Sequence, residues 1–145
     1  MNSLLRRIVL ALLRGLGEIA YRLSPRGRAR LGVAIGRAMA LLSPMRRRVT
    51  MENLRRAFPE ASQAWIQETA AGSYRNLGAT LIEILTFPHI TPSEARAMLD
   101  LRGTEEVETA AREGAGVVLV SAHYGNWELL AFACPLYTNI PTSVI

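Results

Sequence analysis

Apolar residues recur at helical spacing through the first hundred positions, and the pattern changes at Gly116. From Leu4 to Leu23 the residues Leu5, Ile8, Leu12, Leu16, Ile19 and Leu23 gather on one part of a helical wheel, away from Ser3, Arg7, Arg14, Glu18 and Arg22. These charges interrupt the run before it reaches the roughly 18 apolar residues of a spanning helix. No small-residue cleavage site follows it. The pattern predicts a helix lying in an interface. Ser24-Pro25 and Ser43-Pro44 mark breaks that restart as helices, because proline's missing N–H costs nothing in a first turn. They bound a second helix, from about Arg26 to Leu42, and a third that ends before Pro59. Trp65, Ile66, Tyr74, Leu77, Leu81, Ile84 and Leu85 then predict a long helix from about Glu60 to Thr86.

Thr91-Pro92-Ser93-Glu94 has the form of a capping box and predicts a short helix from Pro92 to about Leu99. A further helix, Glu105 to Arg112, has acids in its first turn, arginine in its last, and Gly114 or Gly116 to stop it. Val117-Val118-Leu119-Val120 is a short valine-rich run bounded by glycine and polar residues. Such a run predicts a strand buried on both faces of a parallel sheet. A helix resumes near Asn126, and Pro141 to Ile145 reads as the start of another strand. The expected class is therefore α/β. Residues 1–100 form a helical region leading into a mostly parallel sheet covered by helices, and residues 101–145 supply only the first strands of that domain. Two short strands make no stable sheet by themselves, which implies that the natural protein is longer.

Charge adds a polarity to this outline. All 17 basic residues are arginine. Residues 1–72 carry thirteen Arg against four Glu, and residues 73–145 carry four Arg against eight Asp and Glu. A front bearing about +9 and a back bearing about −4 by those counts imply an anionic partner for the first half. Anionic lipid and an acidic carrier protein both fit. Nucleic acid does not, because the arginines Arg46, Arg47, Arg48, Arg55 and Arg56 lack interleaved aromatics and no reading-head motif is visible. Arg47 and Arg48 are candidates for binding phosphate through bidentate guanidinium contacts, against the plainer reading of a solvated helix face. The single cysteine, Cys134, excludes an intrachain disulfide and has no histidine beside it for a metal site, so no metal is expected. Lying in an apolar run, it reads as a small core residue.

The chemistry-bearing segment is Val120-Ser121-Ala122-His123-Tyr124-Gly125-Asn126-Trp127-Glu128. His123 stands just after the expected strand, and Glu128 follows five residues later, beyond a glycine turn. Within one continuous helix that spacing puts the two side chains about 140° apart. A pairing therefore needs His123 before the helix and Glu128 in its first turn, with Gly125 making the turn and Asn126 as N-cap. A carboxylate on one ring nitrogen fixes the tautomer and stabilises the imidazolium formed when the other nitrogen takes a proton. The competing structural explanation is a strand-end histidine followed by an acid favoured by the helix dipole.

Ser121-Ala122-His123-Tyr124-Gly125-Asn126-Trp127-Glu128 resembles the active-site motif of the bacterial lipid A late acyltransferases, in which His and Asp or Glu are separated by four residues. Arg47-Arg48, then Asn53-Leu54 and Phe58-Pro59-Glu60, resemble that family's N-terminal pattern, as does Arg102-Gly103. Related lysophospholipid acyltransferases usually carry Asp at the second position, and Glu128 with Asn126-Trp127 is closer to the lipid A branch. The resemblance implies transfer of a fatty acyl group from a thioester donor, acyl carrier protein or coenzyme A, to a hydroxyl of a lipid A precursor, with no cofactor. By the same carry-over His123 is the general base, Glu128 its orienting partner, and Asn126, Trp127, Arg47 and Arg48 are substrate contacts. Location is expected at the cytoplasmic face of the inner membrane, peripheral or N-terminally anchored. Two alternatives stay open at this point: another glycolipid or aminolipid acceptor, and a membrane-docking segment without catalysis of its own.

Overall fold

The computed structural model describes residues 3–138 and 140–143. The chain forms two compact units, Met1–Thr86 and Phe87–Ile145.

The first unit contains four helices: α1 (Ser3–Arg22), α2 (Pro25–Leu42), α3 (Pro44–Ala57) and α4 (Gln63–Thr86). Their ends follow local chemistry. Ser24 caps α2, its hydroxyl accepting from the Gly27 N–H at 3.2 Å, with Pro25 at the first helical position. Pro44 opens α3 in the same way. The core of the unit is the packing of α2, and to a smaller extent α1 and α3, against α4. Along α4 the buried side is Ile66, Ala70, Tyr74, Gly78, Ile82 and Thr86, a strict four-residue stripe that includes two small residues. Trp65, Leu77 and Leu81, expected on the apolar face, are exposed instead. The reason is the partner surface. α2 presents Gly32 and Gly36, so the two backbones approach so closely that a Cβ on Gly32 would lie 2.6 Å from Ala79 Cα. At the crossing itself Gly32, Gly36 and Gly78 have no room for a Cβ.

In the second unit a 3₁₀ turn, Phe87–His89, precedes α5 (Pro92–Met98), α6 (Thr104–Arg112) and α7 (Trp127–Thr138). α7 is the centre against which α5 and α6 pack, burying Ala95, Leu129 and Ala133. Phe87 and Phe132 stack at 4.7 Å between ring centroids. The Arg96 guanidinium donates to the Leu136 carbonyl at 2.7 and 3.0 Å, and the Tyr137 hydroxyl is placed to donate to the carbonyls of Arg96 and Leu99. α5 carries the expected capping box. Thr91 Oγ1 accepts from the Glu94 N–H at 3.3 Å, and Glu94 Oε2 accepts from the Thr91 N–H at 2.8 Å. Thr91→Ala is expected to lower the stability of this unit by about 1 kcal/mol, seen as an earlier midpoint in urea. α6 stops at Gly114, whose φ of 74° places it in the left-handed region. The Ala115 N–H then bonds the Ala110 carbonyl at 2.9 Å and the Gly114 N–H bonds that of Ala111 at 3.2 Å, the two bonds of a Schellman end.

The expected sheet is absent among the described residues, which contain helices, turns and irregular chain but no strand. The α/β class, with a mostly parallel sheet beginning in this chain, is therefore corrected to an all-helical arrangement. Val117–Val120 runs irregularly and lies in solvent, with Val118 and Val120 at 88% and 92% exposure. A strand is held by backbone hydrogen bonds to neighbours and by cover on its faces. Neither is supplied to these residues, so their β propensity has nothing to act through. The second expected strand fares the same where it can be seen. Pro141–Ser143 is irregular, and residues 144 and 145 lie outside the described residues.

Candidate active site

The site segment forms the approach to α7. His123 is exposed in the loop after Val117–Val120, and the Tyr124 N–H bonds back to the Ala122 carbonyl at 2.8 Å. Gly125 then takes a φ of 60°, the left-handed conformation that turns the chain into the helix. Asn126 caps α7: its Oδ1 accepts from the Leu129 N–H at 3.2 Å. The helix starts at Trp127, which puts Glu128 in the first turn, where the dipole favours a carboxylate. The local frame required for a histidine and acid five residues apart is thus built: His123 before the helix, turn at Gly125, cap at Asn126, Glu128 in the first turn.

Within that frame the side chain brought against His123 is Trp127. The ring centroids lie 4.6 Å apart with the planes tilted by 48°. Among the described residues no hydrogen bond or ion pair joins His123 to Glu128. His123 is exposed and Glu128 is half-buried. An accessible imidazole beside an aromatic ring can accept a proton from an alcohol that reaches it.

Arg47 and Arg48 belong to the first unit, on α3, a helix with no buried residue. They line an open groove of about 350 Å³ together with Leu41, Pro44 and Met51. Arg48 donates to Glu52 Oε1 at 2.8 Å, one turn along the helix. That hydrogen bond and the charge of Arg48 hold the Glu52 carboxyl below the usual carboxylate range, with Arg56 and Arg55 adding to the effect. Both partners are in water, and a single exposed pair of this kind contributes little to stability. Arg55 donates to Gln63 Oε1 at 3.1 Å, whereas Arg46, Arg47 and Arg56 make no ion pair among the described residues.

Residues 3–140 match the family model of the bacterial lipid A biosynthesis acyltransferases. The chain belongs to this family. Relatives of the lipid A acyltransferase group include a lipid A biosynthesis palmitoleoyltransferase of Escherichia coli (strain K12), 27% identical over 99 residues. A lipid A biosynthesis acyltransferase of Shigella flexneri matches at the same 27% over 99 residues. Each match covers 68% of this chain and 32% of the relative, so the chain spans about a third of the length of these relatives. No solved structure matches it. No described helix is long and apolar enough to cross a membrane.

Two features were missed in the sequence. The first is the contact of Trp127 with His123, which a spacing of four hinted at but which depends on a loop conformation. The second is the exposure of Leu41, Leu42 and Met45 around the α2–α3 corner. Its signal was present in the order Leu-Leu-Ser-Pro-Met-Arg-Arg-Arg, apolar residues split by a helix break and followed by cations.

Proposed function

We propose that the full-length protein transfers a fatty acyl group from a thioester donor to a hydroxyl of a lipid A precursor at the cytoplasmic face of the inner membrane. In this reading His123 removes the proton of the acceptor hydroxyl as its oxygen attacks the thioester carbonyl. The C–S bond breaks, the donor's sulfur leaves as a thiolate, and it takes the proton held by the imidazole to become the free thiol. Glu128 orients the ring and stabilises the imidazolium, closing on His123 when substrate is bound. The observation that carries the reading is the family match across residues 3–140, which spans the His123-to-Glu128 segment. The arrangement of an exposed histidine, a left-handed Gly125 and an Asn126-capped helix with Glu128 in its first turn supports it.

An acyl carrier protein is the donor that suits the arginine-rich first unit, since such carriers are acidic, and coenzyme A thioester is the alternative. Asn126, Trp127, Arg47 and Arg48 are assigned to substrate contact. α1, with Leu5, Ile8, Leu12 and Ile19 exposed, lies in the membrane interface. The test is transfer of a labelled acyl chain to a lipid A precursor by the purified full-length protein. Glu128→Gln keeps the shape and removes the charge, and should reduce kcat by about tenfold to a hundredfold with KM little changed. A variant as fast as the parent would remove Glu128 from the mechanism.

A further inference from the structure

We infer that the corner between α2 and α3 is a membrane-insertion tip, a contact with an anionic bilayer separate from the α1 face. The helical run breaks at Ser43, between the end of α2 at Leu42 and the start of α3 at Pro44. Around this break Leu41, Leu42 and Met45 are 76%, 82% and 78% exposed, more than any other large apolar side chain described in Met1–Thr86. Arg46, Arg47 and Arg48 follow at once, all exposed.

Exposed apolar side chains at a helix break, followed at once by three exposed arginines, have two requirements that a lipid surface meets together. The interface between headgroups and acyl chains takes up the apolar side chains. The phosphates around them take up the guanidinium groups, whose aliphatic stems can lie along the apolar layer while the charged heads stay in water. The groove of about 350 Å³ lined by Leu41, Arg47 and Arg48 adds a place for one headgroup. A second copy of this chain fits less well, because a two-fold contact through the tip would set arginines against arginines. An acidic protein would answer the arginines but has no stated use for three apolar side chains at a helix break.

The proposal deepens the membrane part of the function proposed above and shares Arg47 and Arg48 with the substrate contacts assigned there. The test places a polarity-sensitive nitrobenzoxadiazole dye on Leu42→Cys in a Cys134→Ser background of the full chain. Far-ultraviolet circular dichroism first checks that the labelled chain keeps its helix content. Vesicles of phosphatidylethanolamine with phosphatidylglycerol should shift the emission to the blue. Replacing Arg46, Arg47 and Arg48 by glutamine should raise the half-saturating lipid concentration about fivefold for each arginine removed at low salt, with the difference shrinking as salt is added. Three results would overturn the proposal: vesicles that sediment the chain without shifting the dye, a dye already blue-shifted before lipid is added, or a shift on adding an acidic acyl carrier protein but none with vesicles. The assay contains no acyl donor or acceptor, so failure of the tip and failure of the proposed catalysis are read separately.

Discussion

Replacing His123 by alanine in the full-length protein is expected to lower acyl transfer by on the order of 10² to 10⁴. The loss should fall on kcat, because the proton is taken only as the acceptor oxygen attacks, and an interaction made only in the transition state leaves KM nearly unchanged. Its interpretation is helped by the site's exposure. His123 lies in solvent, and its described ring contact is with Trp127. Exposed substitutions of this kind usually change stability by no more than about 0.5 kcal/mol. The variant should therefore unfold at the same denaturant concentration as the parent and sediment equally with vesicles. Turnover retained within a factor of a few would exclude His123 as the base, and the function would have to be carried by other residues.

The largest stability effect is expected at the glycine seam of the first unit. Gly36→Val and Gly78→Val should each destabilise by about 1 to 3 kcal/mol or more. A Cβ on Gly78 would stand 2.8 Å from Gly36 Cα, and one on Gly36 would stand 2.8 Å from the Tyr74 carbonyl carbon and closer still to its oxygen. In both cases the obstruction is the backbone of a continuous helix, which cannot rotate away as a side chain can. α2 would have to separate from α4, uncovering the stripe that buries Ile66, Tyr74 and Ile82. Gly15 is the internal control, since nothing lies within 4 Å of the position its Cβ would take. Gly15→Ala should stabilise α1 by about 0.5 to 1 kcal/mol through helix propensity. Urea unfolding of the three variants decides the matter: equal effects at Gly15 and Gly36 would mean that the seam is not packed as described.

The helices were legible because their ends depend on residues close together in the chain. Ser24-Pro25, Ser43-Pro44 and Thr91-Pro92-Ser93-Glu94 each satisfy or replace the free N–H groups of a first turn, and such contacts form whatever surrounds them. The turn at Gly125 and the cap at Asn126 were legible for the same reason. Which face of α4 would be buried was legible only in part. Apolar periodicity points to Ile66 and Tyr74, which are buried, and equally to Leu77 and Leu81, which are exposed, because α2 meets α4 backbone to backbone at its glycines.

The amino-acid sequence by itself determined where helices begin and end, the arginine-rich first half and the order of His123, Gly125, Asn126 and Glu128. These are local facts, settled by capping, turn chemistry and covalent order. Whether Val117–Val120 becomes a strand, which stripe of α4 is inside, and what touches His123 were decided by tertiary structure alone. Each depends on groups remote in sequence or on a loop conformation: an apolar run shows that a segment can be covered, and only its spatial neighbours decide whether it is.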